Sequence, residues 1–575
     1  MRNLLDLTWR LLRGGGRRGL LGSSLTLAAV GVSTALLLFA VAINFAFAGR
    51  AERGAWRNPE PPPGATAGGP PRAVEAVRSE FSGDRRITVV HVAVLSPGVS
   101  PPRGLSRLPA PGEVVMSPAL AELARDDGSV GRRFPQKRAG TIGDEALVHP
   151  GELVAVVGHA PGEDIMTAKY KGDYRLGVSA TQVPDLTGSP SPDAGAYQAL
   201  AAIASVLMVV PLLVFGGAAA RLTVARRDRR LAALRLVGAT PGQVVAMTVA
   251  EAVITAFAGA VLGLLLYTVA IPPLSQVRIA GGAWFASDIW PGPLPIAAVL
   301  LAVPLLVGLS AVVGLRRVVV SPLGVARRET PPAMRFVRVV ALLACLAAVP
   351  AFGAGASVTV VMVVLSLSFL AVNLVGPWVV AMIGRITART AKRPARLLAG
   401  RRLVDDPRSA WRTVSGVALT GFVAGFIGLL TPSASISVEN DPVTAWLLQD
   451  IRTGTLIVLL VSFLVAIVSA GITAASAVLD RRQTYALLRL AGTDLSVLDR
   501  ARRLETLIPL TVMGGGSIVA GMFCAAPFAR LAMSATGGLT LLVCAAAGFA
   551  GVIGAGALSR PLLRSVTTDP APRPD

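Results

Sequence analysis

The sequence predicts a polytopic α-helical membrane protein with about ten transmembrane helices and one α+β extracytoplasmic domain, and three observations predict it. First, 53% of the 575 residues are hydrophobic and only 15% are charged, against roughly 25% charged in soluble domains. Second, mean hydropathy is +0.63, and the apolar residues gather in runs of about 20 or more, the length that crosses roughly 30 Å of hydrocarbon. Third, one segment occurs twice. Arg226–Glu251 and Asp480–Glu505 align without a gap at an offset of 254, which brings Arg227 onto Arg481, Arg235 onto Arg489, Gly238 onto Gly492 and Glu251 onto Glu505. Each copy follows one apolar run and leads into another. The chain therefore reads as two related membrane halves, with the repeated piece at a membrane surface.

The net charge of +22 would suit a nucleic-acid partner, but its distribution excludes one. Residues 50–193 carry 17 basic and 17 acidic side chains, so the surplus lies in short loops between apolar runs. That is the positive-inside pattern that fixes orientation. Aromatic residues make up only 5% of the chain, and no basic stretch is interleaved with them as base stacking requires. The expected surrounding is the lipid bilayer. Cys345, Cys524 and Cys544 all lie in apolar runs and read as small buried hydrophobes. The extracytoplasmic segment has no cysteine and so no disulfide framework.

Residues 1–18 carry Arg2, Arg10, Arg13, Arg17 and Arg18 against Asp6 and read as an amphipathic cytoplasmic lead-in. The first apolar run spans about 19–48. Ala46-Phe47-Ala48 mimics a signal-peptide cleavage site, but a signal core is roughly 7–15 residues, about half this run, so an uncleaved span is expected. Residues 49–195 form one large hydrophilic segment outside, opening with a Pro/Gly-rich linker from Pro59 to Pro71. Strands are expected at Ile87–Leu95, Glu113–Met116 and Leu153–Gly158, and a short helix at Ala119–Arg125. Further spans are expected at about 197–220, 243–271, 294–315, 337–352, 357–383, 413–431, 453–478, 506–527 and 538–558. A Gly/Ala/Ser turn at Gly353–Ser357 divides the fifth span from the sixth. Arginine-rich loops at 221–235, 316–338, 385–412 and 480–503 place both termini in the cytoplasm. The loop at 432–451, with Glu439, Asp441 and Asp450 and no basic residue, lies outside.

The chain thus divides into a lead-in and first span (1–48), an extracytoplasmic α+β domain (49–195), and spans two to four with the first repeated loop (196–328). Two linking spans (329–394), spans seven to ten with the second repeated loop (395–567) and a cytoplasmic tail (568–575) complete it. Two linking spans preserve orientation, so the halves are parallel copies, and only the first carries a large outer domain.

Each repeated loop has a stop-and-start grammar. Arg226–Arg230 anchors the end of the second span at headgroups. Leu231, Leu234 and Val237 (or Leu236) recur at helical spacing around Arg235, and Gly238 suits a helix C′ position. Thr240-Pro241-Gly242-Gln243 is a capping-box start for the third span. In the second copy Leu487, Leu488 and Leu490 precede Gly492, and Thr493 or Asp494 caps the next helix. Glu251 and Glu505 share one position near the start of spans three and nine. Two readings stand for them: functional carboxylates, or interfacial glutamates paired with an arginine or a helix N-terminus.

Much chemistry is missing. Gly-Lys never occurs, so the chain has no phosphate-cradling loop for ATP. There is no His-Glu-x-x-His, and His91, His149 and His159 all lie outside, with His149 and His159 ten apart and no cysteine nearby. No metal, catalytic residue or cofactor of the chain's own is expected. It moves or transmits something without a visible energy source, and a basic amphipathic element in two copies facing the cytoplasm suits a dimeric motor.

The duplicated pattern, Arg-Arg followed by Ala-Leu-Leu-Arg-Leu, a hydrophobic residue and Gly-Ala/Thr, then a span beginning near a glutamate, resembles the FtsX-like permease domain. That domain occurs in ABC transporters of the MacB, LolC/LolE and bacitracin-efflux permease groups. Here the resemblance appears twice, at about 1–328 and 395–567. Arg10–Arg18 and Arg401–Arg412 resemble the family's basic lead-in, and Val320–Leu323 the segment after its fourth span. Pro111–Ala121 and Leu153–Gly158 resemble the MacB-type extracytoplasmic core. The large outer domain in the first half departs from the bacitracin-efflux group, which carries it in the second.

The resemblance implies a permease working with a separate ABC ATPase dimer on the cytoplasmic side, which binds ATP and Mg. The coupling helices would be Leu231–Thr240 and Tyr485–Asp494. The first site would comprise Arg226, Arg227, Leu231, Leu234, Arg235, Leu236, Gly238 and Thr240, and the second Arg481, Arg482, Leu488, Arg489, Leu490, Gly492 and Asp494. Two halves in one chain would supply both permease positions. The implied function is export of an amphiphilic substrate such as a lipid, lipoprotein, peptide or drug. The alternatives are a mechanotransmitter acting through residues 49–195 on an extracellular partner such as a cell-wall hydrolase, and a sensor complexed with a membrane kinase. Arginine outnumbers lysine 51 to 4, a bias of GC-rich bacterial genomes, and the expected location is a bacterial cytoplasmic membrane.

Overall fold

The computed structural model describes residues 16–59, 69–83, 85–173, 176–225, 240–320, 357–430, 442–480 and 494–526, with short pieces between 340 and 348 and between 543 and 554. Among the described residues eight helices are long and apolar enough to cross a membrane. They are α1 (Gly16–Ala55), α3 (Pro192–Ala225), α4 (Pro241–Ser275), α5 (Pro293–Val320), α6 (Val358–Arg389), α8 (Pro407–Leu430), α9 (Pro442–Asp480) and α10 (Leu495–Ala525). A short helix α7 (Pro394–Asp405) joins α6 to α8. The described residues within the expected fifth and tenth spans are also helical.

Local chemistry sets the helix starts. Ser357 caps α6, its side chain accepting from the Val360 N–H. Thr240 and Gln243 close the full capping box at α4, with Pro241 at the first helical position. Asp494 caps α10 by accepting from the Ser496 N–H.

The two halves pack in the same order. In the first, α1 lies along α4 and beside α3, with α5 against α4. In the second, α8 lies along α10 and beside α9. Both long crossings use glycine. A methyl group on Gly263 would lie 2.5 Å from the Gly31 carbonyl oxygen, and one on Gly425 would lie 2.1 Å from that of Ile518. Backbones approach this closely only where a side chain is missing. α8 is the most enclosed span: Val414, Ala418, Phe422 and Phe426 are buried between Phe369 of α6, Ala466 of α9 and Leu510 of α10. The halves meet where α9 packs on α3 and α1 and where α8 packs on α3, and the linking span α6 also packs on α3.

The extracytoplasmic domain is a six-stranded mixed sheet, β1 (Ala73–Ser82), β2 (Arg85–Val94), β3 (Glu113–Met116), β4 (Lys137–Thr141), β5 (Leu153–Gly158) and β6 (Gly177–Val183), in the order β4-β3-β5-β2-β1-β6. The helix α2 (Pro118–Asp126), capped by Ser117, covers one face. Leu153, Ala155 and Val157 of β5 join that layer with Leu120 and Leu123. Val154 and Val156 face the other way, into a core with Trp56, Leu105, Ile142 and Leu147. The strand is buried on both faces, which is why it reads as an unbroken apolar run.

Several boundaries differ from those the sequence predicts. The first helix continues to Ala55, not 48, so the domain begins with Trp56 packed in its core. A helix needs hydrocarbon-matching residues only inside the bilayer, and hydrogen bonding carries it on. Asp450 lies inside α9 and not in a loop, for the same reason. β1, β4 and β6 are additional strands. β4 (Lys-Arg-Ala-Gly-Thr) is an edge strand with no apolar run, and β1 mixes Glu75, Arg78 and Glu80 into its alternation.

Candidate functional site at the outer junction

Arg50 and Arg53 share one face of the stalk formed by the end of α1, and Arg57 follows in the turn just beyond it. Each binds a different level of the junction between membrane and outer domain. Arg50 is 4% exposed and donates to the carbonyls of Ile279 (2.7 Å) and Ala283 (2.5 Å), in the turn between α4 and α5. Its guanidinium lies 3.3 Å from the centre of the Trp284 ring. Arg53 donates to the Leu147 carbonyl at 2.9 Å and to Asp288 Oδ2 at 2.6 Å, joining the outer domain to the same turn. Arg57 holds Glu152 through both guanidinium nitrogens, at 2.5 and 3.1 Å, and also donates to the Ala146 carbonyl. Such bidentate, charge-assisted pairs are the stronger class of hydrogen bond.

Glu152 also accepts from the Val148 N–H at 2.7 Å, which closes the 146–152 segment onto the stalk. Burial alone would raise its carboxyl, but the Arg57 charge and hydrogen bond, with His149 and the Val148 N–H, outweigh burial and hold it below the usual range. Side-chain exposures of 9% for Arg57 and 15% for Glu152 leave little water to replace a lost partner. Removing one partner of such a pair costs on the order of 3 kcal/mol. His149 packs onto the turn: a methyl group on Gly282 would lie 2.2 Å from its Nδ1. Burial and the nearby Arg50 and Arg57 lower the His149 pKa despite the opposing charge of Glu152.

The second half grips the same turn from its other side. Asp450 of α9 accepts from the Ala280 N–H at 3.0 Å and from the Tyr197 hydroxyl of α3 at 2.6 Å. Ala280 has φ +54°, a left-handed conformation costing an L-residue roughly 1–2 kcal/mol, and the Asp450 bond offsets that cost. A small apolar cavity beside the turn is lined by both halves, with Phe39, Ile43, Leu274 and Trp284 from the first and Ile457 from the second.

Of the residues singled out in the sequence, Thr240 and Asp494 are the N-caps of α4 and α10. Glu505 pairs with Arg402 of α7 at 3.6 Å, the interfacial reading. Glu251 lies half-buried on α4, its carbonyl accepting from Thr255 Oγ1 at 2.8 Å. Arg226, Arg227, Leu231, Leu234, Arg235, Leu236, Gly238, Arg481, Arg482, Leu488, Arg489, Leu490 and Gly492 lie outside the described residues. His149 and His159 do not meet. His159 instead contacts His91 at 2.8 Å and Glu163 at 2.5 Å. Among the described residues no three metal-ligating side chains stand together.

The arginine ladder was missed because the first span was ended where apolarity ends. The signal was present: three arginines spaced i, i+3 and i+7, with no proline until Pro59.

Residues 202–322, which run from α3 through α5, match the FtsX-like permease C-terminal family. No curated protein matches the chain. The matched segment contains the first repeated loop, the capping box at Thr240 and the turn that the ladder grips. The chain is a multi-pass membrane protein that is similar, over residues 202–322, to the FtsX-like permease C-terminal family.

Proposed function

We propose that the chain is the permease subunit of an ABC complex that couples ATP hydrolysis by a separate ATPase dimer to export of an amphiphilic substrate. The ATPase, carrying ATP and Mg, engages the two repeated loops around Arg235 and Arg489. The second half acts as a second FtsX-like domain, so one chain serves each ATPase dimer. The observation that carries the reading is the helix α1, unbroken from Gly16 to Ala55, with the next residue, Trp56, buried in the outer-domain core. Motion at the cytoplasmic face would reach the outer domain through Arg50, Arg53 and Arg57 without passing a flexible joint.

The same stalk favours a second reading, in which the stroke serves an extracytoplasmic partner of residues 69–189 and nothing crosses the membrane. Vesicles with the reconstituted complex separate the two: ATP-dependent movement of a fluorescent lipid or lipopeptide supports export, and hydrolysis without movement supports transmission. The shared ATPase requirement has its own test. Arg235→Glu with Arg489→Glu should abolish co-purification with the ATPase and its stimulation, and unchanged binding would remove the coupling assignment.

A further inference from the structure

The short helix α7 divides its surface sharply. Ala395, Ala399 and Leu403 are buried against α6 and α10. The fit is tight: a methyl group on Gly400 would lie 2.6 Å from the Ala388 N, and one on Gly384 would lie 2.7 Å from Leu403 Cβ. Arg402 on this side reaches Glu505 of α10. The opposite face carries Leu397, Arg401 and Val404, at i, i+4 and i+7, which share one face of a helix, and Arg393 stands just before it as the N-cap residue. All four are exposed, Leu397 by 44% and Val404 by 36%.

We propose that this face of α7 is a docking surface for anionic phospholipid headgroups of the cytoplasmic leaflet. Two observations point to lipid over a protein groove. Both neighbours of α7 in the chain are membrane spans, and the connections are short: Thr390–Arg393 from α6 and Asp406 into α8. The helix is thereby held where spans leave the bilayer. Its outward face also alternates guanidinium and aliphatic side chains, the pattern of a helix lying in the interface with its apolar residues at the acyl boundary and its cations at phosphates. Arginine suits this because its stem packs along apolar surface while the planar head binds phosphate through two N–H groups. Arg385, Arg389 and Arg408, all exposed, extend the cationic surface on either side. Through Arg402 and Glu505 the lipid-facing helix is fastened to α10, the span that follows the second repeated loop. The inference stands apart from the ATPase assignment, since it needs only the bilayer.

The test is native mass spectrometry of the full chain in detergent, titrated with phosphatidylglycerol or phosphatidylcholine. The intact protein should retain phosphatidylglycerol selectively. Arg393→Gln with Arg401→Gln should weaken that retention about tenfold or more, given the contribution of each cation near an anionic surface. Arg393→Lys with Arg401→Lys should preserve it within about threefold. Arg125→Gln with Arg132→Gln, the same charge loss in the outer domain, should leave it unchanged. Equal retention of the two lipids, or selectivity untouched by the paired glutamines, would overturn the proposal. Loss of ATPase co-purification in the paired-glutamine variant with lipid selectivity intact would also overturn it, because the face would then belong to a protein.

Discussion

Glu75 and Glu152 are the same residue type in the same domain, and their surroundings push them apart. Glu75 on β1 is 1% exposed, and its Oε1 has no hydrogen-bond partner. Burial raises its pKa to about 8, with Arg57 only partly opposing, so it is neutral near pH 7. Glu152 receives Arg57 directly and stays charged. The pH consequences have opposite sign. Glu75 binds its proton more tightly folded than unfolded, so its contribution is complete below the unfolded pKa of about 4.5 and is lost as pH rises to about 8. The contribution of Glu152 is present above its unfolded value and is lost as pH falls through the depressed folded value. For these two groups the domain is most stable on the acid side of neutrality. Glu75→Gln should therefore flatten the alkaline slope. Thermal unfolding of the full chain followed from pH 5 to 8 should show a fall of roughly 5 °C or more in the wild type that the variant lacks. Parallel curves would mean that Glu75 is solvated or paired.

Among the elements, the crossing of α8 and α10 decides how closely the second half packs. A side chain on Gly425 meets the Ile518 carbonyl at 2.1 Å, while Gly515 and Gly516 of α10 face nothing within 4 Å. Gly425→Val should cost about 3 kcal/mol or more through forced separation of the backbones, read as a lower melting temperature in detergent. Gly516→Ala is the matched control and should be neutral or mildly stabilising; equal effects at both positions would remove the close-approach explanation. Which glycines serve close approach is not legible in the sequence: Gly514, Gly515 and Gly516 are adjacent, and only Gly514 meets a neighbour, Phe549.

The same limit explains the rest of the fold. Eight of the ten expected spans, β3, β5 and the caps Thr240 and Asp494 were legible because their signals are local: an apolar run, or a capping residue two to three positions from its donor. β4 and β6 are edge strands defined by their partners. The junction was illegible because its bonds are distant in sequence. Arg53 and Asp288 are 235 residues apart, and Ala280 and Asp450 are 170 apart.

At the scale of the whole molecule, the family match covers residues 202–322, and the outer domain lies before that segment in the first half. Its attachment is concentrated on one stalk. Arg57→Gln removes the bidentate grip on Glu152 and leaves the membrane helices untouched. Amide exchange at residues 146–152 should rise by about tenfold or more, while α8 stays protected. Unchanged exchange in that segment would show that Trp56 packing, and not the ion pair, holds the domain on its stalk.

The turn at Ile279–Ala283 has a consequence of its own. It belongs to the first half, where Arg50 binds it, yet Asp450 of the second half holds its strained Ala280. When both halves move together the turn rides along and its bonds are undisturbed. When one half slides past the other, Arg50 and Asp450 pull it in different directions, and His149 and Arg53 pass that pull to the outer domain. A junction so bonded would act as a differential: common motion of the two halves would leave its bonds unchanged, and only a difference between them would load it.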